Sequence, residues 1–466
     1  MSGQMTTSKG RVFGVTVLPE WAQAEGIDAV LDRLQDAGVT AVATSPYVME
    51  PVADGAGSRE PPADGGAGKV RLLDRPLWGK RALSVRTAPS FAPERARYEG
   101  LAYQPPEPDA LTAREGAVVG RFLAAAKARG MTTHLQVQSA IPPGYRVQFG
   151  GPQPADDPLG PEGKPVPGRT DLNACLASPQ ILAYGAAMLA DLAAQYPGVD
   201  AIRIDWPEIP PYDFGALFFD FSRHAMAFAE SLGLDGERMR ADTLALKGEL
   251  AALDDVALAA ASPQMLAAAL DRHPGVGDLL ALRRAMVRAL LGRYRAALPA
   301  EVALLPQAFP PPFHRLSGFD FAAAGEVVDL IGVKLYTMHW PMILRNWGEA
   351  LAKLAPAASS AAIAEALVRL TGTGDTPPPA GIEGLVYPEP DAPHPASDTA
   401  MAHKIRTARA EAGGARIAAF AHAYGPTADV VRRTRVAWEA SEGHVWLNRY
   451  GYLSDAKFAA LKEVVR

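Results

Sequence analysis

Residues 201–214 read AIRIDWPEIPPYDF and carry a clear β-strand signal. Apolar and polar side chains alternate from Ile202 to Asp205, as they do when successive residues point to opposite faces of a sheet. Pro207 lacks the N–H group that a further ladder hydrogen bond needs, so the strand is predicted to end before it. The sequence therefore places Asp205 at the end of a strand and Glu208 on the loop that follows.

Seven other short apolar segments are also followed, directly or after a loop, by helical periodicity. The eight predicted strands cover residues 11–19, 39–47, 132–141, 200–206, 302–309, 330–338, 415–424 and 444–453. The predicted helices include residues 27–38, 117–130, 181–196, 342–355 and 429–443, and a last helix ends the chain. Eight alternating units predict an α/β fold, a closed (β/α)8 TIM barrel with long βα loops. An open doubly wound sheet is second, because no glycine-rich phosphate loop follows any predicted strand.

The region between the fourth and fifth predicted strands is almost entirely helical in pattern. Residues 230–300 are expected to hold one barrel helix and a helical insertion, with a helix start at Ser262 and Pro263. TIM barrels with insertions exceed 400 residues, so the whole chain, 1–466, is predicted to be one catalytic barrel domain.

The composition narrows the class of protein. Hydrophobic residues make up 48% and charged residues 21%, as in ordinary globular proteins. The net charge of −5 argues against electrostatic binding to nucleic acid or to an anionic membrane. The single cysteine, Cys175, allows no intramolecular disulfide. Because neither a secretion signal nor an apolar run of membrane-spanning length is evident, we predict a cytoplasmic protein.

The alternation also separates two faces on the other predicted strands. We expect the aliphatic set to pack outward on the helices and the polar set to line the mouth of the barrel, where TIM-barrel enzymes place their catalytic groups. Arg203 is expected to pair with Asp205 and to hold it ionised, with a purely structural ion pair as the alternative. The residues predicted to contact substrate are Arg203, Trp206, Gln136, Gln138, Tyr336, His339, His422, Asn448 and Arg449.

Residues 171–214, DLNACLASPQILAYGAAMLADLAAQYPGVDAIRIDWPEIPPYDF, resemble the central segment of the glycosyl-hydrolase-like TIM barrels called family-10-like. In that group an Asn-containing segment leads into a helix and then into a strand of the type VDGIHLDYIRYP. The matching positions are Asn173, Tyr196, Val199, Asp200, Ile202, Asp205 and Pro210. The strand is also similar to strand four of amylase-type barrels, in which an Arg precedes the nucleophile by two residues, and of chitinase-type barrels, which carry Asp-x-Asp-x-Glu. The resemblance implies a carbohydrate-directed barrel.

The sequence departs from both of those catalytic patterns. Arg203 replaces the first Asp of the chitinase pattern, Pro207 occupies the position of its acid, and Glu208 comes one residue later. Predicted strand five carries Gln307 instead of the amylase acid, and predicted strand seven carries His422 instead of the amylase Asp. Neither catalytic set therefore transfers as a whole.

Glycoside cleavage usually requires two carboxyl groups that flank the bond. Asp205 is predicted to act as the nucleophile or as the charge that stabilises an oxocarbenium-like centre. Glu208 is the predicted acid/base, unless it is a solvated loop carboxylate, and Glu20 just past strand one is its rival. The predicted function is that of a glycoside hydrolase of carbohydrate metabolism that cleaves O-glycosidic bonds of an oligosaccharide. The alternative is a catalytically inactive carbohydrate-binding barrel.

Two further expectations concern metals and substrate cover. No cofactor or metal is expected, since no His-Glu-x-x-His motif is present; a metal site built from His134, Asp205, His339 and His422 is an outside alternative. The proline- and glycine-rich loop at residues 142–170 is expected to cover the substrate through Tyr145, Arg146 and Gln148, or else to be a solvated linker.

Overall fold

The computed structural model describes residues 10–62, 71–146, 150–374 and 379–465. Its main sheet contains β1 (Val12–Thr16), β2 (Ala41–Thr44), β6 (Thr132–Gln138), β7 (Ala201–Asp205), β8 (Ala303–Ala308), β9 (Leu330–Leu335), β10 (Arg416–His422) and β11 (His444–Asn448). These parallel strands close in the order β1-β11-β10-β9-β8-β7-β6-β2. The predicted TIM barrel is confirmed and the open sheet is excluded. Each barrel strand lies inside one of the eight predicted segments.

Seventeen α-helices among the described residues surround the barrel or extend its loops. They are α1 (Pro19–Glu25), α2 (Ile27–Asp36), α3 (Ala110–Glu115), α4 (Ala117–Ala128), α5 (Pro179–Gln195), α6 (Arg223–Ser231), α7 (Gly236–Ala251), α8 (Asp255–Ala260), α9 (Pro263–Arg272), α10 (Pro274–Ala297), α11 (Phe313–Ser317), α12 (Phe321–Gly325), α13 (His339–Leu354), α14 (Ser360–Thr371), α15 (Asp398–Glu411), α16 (Thr427–Ala440) and α17 (Asp455–Val465). None of the helices in this described part of the chain is long and apolar enough to cross a membrane.

Helices α6 to α10 occupy the connection between β7 and β8. Helix α9 begins at Pro263, and the Ser262 hydroxyl accepts a hydrogen bond from the N–H of Met265 at 3.3 Å, so the predicted helix start is confirmed. None of the residues of α9 is buried, whereas α10 buries Met286, Leu290 and eight other residues. Helix α10 therefore packs against the body of the protein.

The two faces of the barrel strands form separate cores, as the alternation predicts. Ile202 and Ile204 belong to the large outer core between strands and helices. A smaller cluster inside the lumen contains Ala41, Ala43, Leu305, Ala418, Phe420 and Trp446. A Cβ atom at Gly14 would lie 2.2 Å from the Trp446 ring, so this ring fits only because β1 carries a glycine there.

A three-stranded antiparallel sheet lies in the connection between β2 and β6. It contains β3 (Tyr47–Pro51), β4 (Ser58–Glu60) and β5 (Leu83–Pro89) in the order β3-β5-β4. The sequence predicted only a long βα loop in this region, because its strands are short and interrupted by glycine and proline. The sheet matters for the site, since it brings Tyr47 and Glu60 into the protein interior.

Candidate active site

A cavity of about 290 Å³ lies at the C-terminal ends of the barrel strands. Eight of the predicted site residues contribute to its wall: Gln136, Gln138, Asp205, Trp206, Tyr336, His339, Asn448 and Arg449. A second cavity, of about 350 Å³, is lined mainly by apolar side chains, and its described wall includes none of the predicted site residues. The smaller cavity is therefore the candidate active site, because TIM-barrel chemistry takes place at this end of the strands.

Asp205, in the cavity wall, forms an ion pair with Lys334, which is buried behind that wall. The Lys334 Nζ atom lies 2.6 Å from Oδ1 of Asp205, and the lysine side chain is only 2% exposed. Nζ also lies 4.8 Å from the centroid of the Phe309 ring and 5.7 Å from that of Trp206. Lys334, which the sequence analysis did not select, is thus the cation that pairs with the Asp205 carboxylate.

Arg203 does not pair with Asp205, so that prediction is wrong. Its Nε donates to Nδ1 of His134 at 3.0 Å, and its guanidinium lies 3.4 Å from the Trp446 ring centroid and 4.8 Å from that of Phe420. Two residues along a strand correspond to roughly 6.6 Å, so Arg203 occupies a deeper layer of the lumen. Burial lowers the pKa of this guanidinium below its ordinary value. The structure places Arg203 beneath the cavity and not in its wall.

Trp206 turns the chain sharply after β7. Its φ is +51°, in the left-handed region that non-glycine residues seldom adopt. Its N–H donates to Oδ1 of Asp205 at 3.0 Å, and Ser139 donates to its carbonyl. The Asn173 side-chain amide donates to the carbonyls of Trp206, at 2.9 Å, and Glu208, at 2.8 Å. Asn173 therefore holds the turn that follows the candidate catalytic residue.

Glu208 lies in the protein interior, which excludes a solvated loop carboxylate. Its Oε1 accepts a hydrogen bond from the N–H of Phe309 at 2.6 Å, and its Oε2 accepts one from the Ser317 hydroxyl. Burial raises the pKa of Glu208 to about 7, although Lys334 opposes this shift. Its carboxyl group joins the loop after β7 to Phe309 just after β8 and to the end of α11, behind the cavity wall.

Glu20 is also fully buried, in the first turn of α1. The Tyr47 hydroxyl donates to its Oε2 at 3.1 Å. Burial, reinforced by the nearby Glu60, raises the pKa of Glu20 to about 7. Arg146 pairs with Glu60, and Nη1 of Arg449 lies 3.8 Å from Oε1 of Glu60. Because Tyr47, Arg146 and Arg449 line the cavity, both glutamates lie directly behind this part of its wall.

The aromatic and histidine side chains at the mouth contact one another. The Asn448 amide donates to the Tyr336 hydroxyl at 3.0 Å, and the Tyr336 ring lies edge-on to His339, with centroids 5.8 Å apart. His422 is buried outside the wall, with its Nε2 2.7 Å from Nη1 of Arg71, and burial lowers the pKa of its imidazole. His422 therefore lies behind two residues of the wall, Arg71 and Tyr336, and the Tyr336 ring is edge-on to its imidazole with centroids 5.4 Å apart.

The metal alternative requires several ligands at one point. Among residues 10–62, 71–146, 150–374 and 379–465, no group of three or more His, Cys, Asp or Glu side chains is arranged to hold a metal ion. His134 instead contacts Arg203, and the Asp205 carboxylate contacts Lys334. The four residues proposed for a metal site do not converge.

Sequence reasoning missed several residues of the wall, among them Tyr47, Arg71 and Tyr212. These lie on loops or on the small sheet, where no periodic pattern indicates their direction. Lys334 did carry a signal, since it alternates in phase with Tyr336, which comes directly after β9. The expected cover by residues 142–170 has partial support, because Tyr145 and Arg146 line the cavity. Gln148 lies outside the described residues.

No protein-family model and no curated protein matches this chain. Among solved structures, the catalytic domain of a beta-amylase from Paenibacillus polymyxa is 11% identical with a TM-score of 0.50, and the match covers 97% of each chain. A beta-galactosidase from Marinomonas ef1 is 12% identical, with a TM-score of 0.48 and coverage of 94% of this chain and 54% of the galactosidase. A class V chitinase from Pseudomonas fluorescens Pf-5 is 11% identical, with a TM-score of 0.44, and the match covers 98% of this chain and 100% of the chitinase.

The likeness to the beta-amylase catalytic domain, with a TM-score of 0.50, supports the barrel fold alone. This chain spans about half the length of the beta-galactosidase. At such low identity the likeness establishes the fold, and the family-10-like assignment stays a prediction.

Proposed function

We propose that this protein is a glycoside hydrolase and that Asp205 supplies the carboxylate that acts at the sugar carbon. The observation that carries the proposal is the position of Asp205, which ends β7 in the wall of the barrel-mouth cavity, 2.6 Å from Lys334. A carboxylate held in this place is suited to attack an anomeric carbon or to stabilise its positive charge.

The chemistry of the wall supports a carbohydrate ligand. Trp206 and Tyr336 offer aromatic surface, while Gln138, Tyr145 and Asn448 offer polar groups. Oε1 of Gln138, the hydroxyl of Tyr145 and Oδ1 of Asn448 are buried and have no hydrogen-bond partner among the described residues. Sugar hydroxyl groups are able to supply these missing partners, and a buried polar atom left without one costs about 1–3 kcal/mol.

Hydrolysis also needs a group that donates a proton to the leaving oxygen. Burial raises the pKa values of both Glu20 and Glu208 to about 7, so either can remain protonated near neutral pH. In the proposed reaction the glycosidic C–O bond breaks and the leaving oxygen takes the proton. Water then supplies OH to the anomeric carbon and returns a proton to the glutamate.

A second candidate function is carbohydrate binding without catalysis. One oxygen of Glu208 is engaged by Phe309 just after β8 and the other by Ser317 at the end of α11, and Glu20 lies behind Tyr47. If neither carboxyl group reaches the glycosidic oxygen, the cavity binds a sugar and does not cleave it.

The test is release of reducing ends from a broad oligosaccharide panel, with wild type beside Asp205→Asn and the matched control Asp200→Asn. Asp200 lies at the other end of β7 and also pairs with a lysine, Lys127, at 3.0 Å. We expect Asp205→Asn to lose activity by at least about 100-fold and the control to change by less than a few-fold. Equal activity in both variants would exclude Asp205 from the reaction. No turnover by wild type, with sugar binding still measurable, would favour the second candidate function.

A further inference from the structure

The described wall of the cavity carries more cationic than anionic side chains, although Glu60, directly behind it, pairs with Arg146. Three arginines, Arg71, Arg146 and Arg449, contribute to the described wall together with one carboxylate, Asp205. The chain as a whole carries a net charge of −5, so this cluster stands out from the rest of the protein. A concave site lined by one sign of charge concentrates ligands of the opposite sign.

Two of these arginines converge on one aromatic ring. The guanidinium carbon of Arg71 lies 5.4 Å from the Tyr452 ring centroid, and that of Arg449 lies 5.8 Å from the same centroid. Both side chains are largely buried, Arg71 at 6% residue exposure and Arg449 at 13% side-chain exposure. Both guanidinium groups therefore lie in one positively charged corner of the cavity wall, a setting that favours an anionic ligand.

Arg449 is only loosely engaged by the protein. Its ion pair with Glu60 is long, at 3.8 Å, and the same Glu60 carboxylate accepts a hydrogen bond from Arg146. A guanidinium presents five N–H donors in a planar fork that matches a carboxylate or a phosphate. Arg449 therefore retains donor capacity at the edge of the cavity.

We propose that the substrate carries an anionic group, and that Arg449 and Arg71 bind this group while the sugar ring lies against Asp205. The shared chemistry is a compact oxyanion on the sugar, either the carboxylate of a uronic acid or a phosphate or sulfate ester. The cleavage step rests on the proposed glycosidase function, whereas binding of the anionic sugar does not.

The experiment is calorimetric titration of the full chain with glucuronate, galacturonate, glucose 6-phosphate, glucose 6-sulfate, neutral glucose and acetate. We expect at least one sugar anion to bind about 10-fold more tightly than glucose and than acetate, with affinity that falls as salt rises. Comparison of the titrations with the uronates, glucose 6-phosphate and glucose 6-sulfate identifies which oxyanion the site selects. Equal affinity for glucose and for every sugar anion would overturn the proposal.

Variants locate the site. Arg449→Gln should lose about 10-fold or more in affinity for the sugar anion, and Arg449→Lys should recover only part of it, because a lysine lacks the planar fork. Glu60 keeps its pair with Arg146 in both variants, which favours correct folding. The matched control is Arg75→Gln, since Arg75 also pairs with a glutamate, Glu25, and lies 5.2 Å from the Tyr450 ring centroid outside the cavity. An unchanged affinity in folded Arg449→Gln, or an equal loss in Arg75→Gln, would refute the assignment.

The two proposals fail in distinguishable ways. Sugar-anion binding that needs Arg449, without turnover of any glycoside, would leave the anion site in place and exclude the hydrolase. Turnover of neutral oligosaccharides that needs Asp205, with no preference for anionic sugars, would support the hydrolase and exclude the anion site.

Discussion

Lys334 and Asp205 form an ion pair between two strands that are not neighbours. Lys334 is on β9 and Asp205 ends β7, with β8 between them, yet Nζ and Oδ1 are 2.6 Å apart. The pair therefore crosses the mouth of the barrel above β8. Asp205 is 16% exposed and Lys334 is 2% exposed, so one ion faces the cavity while the other is buried behind it.

Replacing Lys334 by Met should destabilise the protein, because it leaves Asp205 without its cation in a largely buried place. We expect a loss of about 3 kcal/mol in the free energy of unfolding. The double variant, Lys334→Met with Asp205→Asn, should lose less than the sum of the losses of the two single variants. Denaturant unfolding of the four proteins measures the coupling. The control cycle uses Lys127→Met and Asp200→Asn, an exposed pair that should couple by under about 1 kcal/mol. Equal coupling in both cycles would contradict the importance given to the Lys334 pair.

Glu208 should make the stability of the protein depend on pH. Burial raises its pKa to about 7 from an ordinary 4.5, so the folded state favours the protonated form. The stabilisation is complete below about pH 4.5 and is lost as pH rises toward 7. Relative to Glu208→Gln, the wild type should lose about 3 kcal/mol of unfolding free energy over this interval. Urea unfolding at several pH values tests this.

The control for the Glu208 comparison is Glu326→Gln, which changes an exposed glutamate paired with Arg288. Its difference from wild type should stay constant over the same pH range. If the difference in unfolding free energy between Glu208→Gln and wild type is also constant with pH, Glu208 ionises in the folded protein as it does in the unfolded chain.

Substrates with different leaving groups can show whether Glu20 or Glu208 donates the proton. A variant that lacks the acid should lose about 10²–10⁴-fold on a glycoside with a poor leaving group and much less on a dinitrophenyl glycoside. It should also lose the alkaline limb of the pH–rate profile, which falls near pH 7 when the acid has a pKa of about 7. Glu20→Gln and Glu208→Gln are compared on both substrates. If both variants keep full activity on both substrates, neither glutamate is the acid.

Asn173 should act as a positioning residue for the turn after β7. Asn173→Ala removes two hydrogen bonds and leaves the Trp206 and Glu208 carbonyls without this donor, so we expect a loss of about 1–3 kcal/mol in unfolding free energy. Weaker sugar binding should accompany it, because Trp206 lines the cavity. Asn346→Ala is the stability control, since Asn346 makes a single 3.4 Å bond to Tyr212. Equal effects of the two changes on unfolding would argue against this role.

Local patterns in the sequence were sufficient for the barrel and for the direction of many side chains. The alternation in Ile202, Arg203, Ile204 and Asp205 sets which residues enter the lumen, because successive residues of a strand face opposite sides. For the same reason Gln138 and Asn448 were correctly expected at the mouth. Proline after β7 marked the end of that strand.

The pairing of charges could not be read in the same way. Arg203 and Asp205 share one face of β7, but they lie in different layers of the lumen, and the stagger of the strands brings Lys334 to Asp205 instead. Glu60 reaches the back of the cavity only because β4 folds against β5.

By itself, then, the sequence determined the eight strands, their inward and outward faces and the residue that ends β7. The tertiary structure decided which ions meet, which glutamates lose their solvent and which arginines surround the cavity. The physical reason is that strand periodicity is a property of neighbouring residues, whereas burial and ion pairing depend on strand register and on loops that close over the mouth from distant parts of the chain.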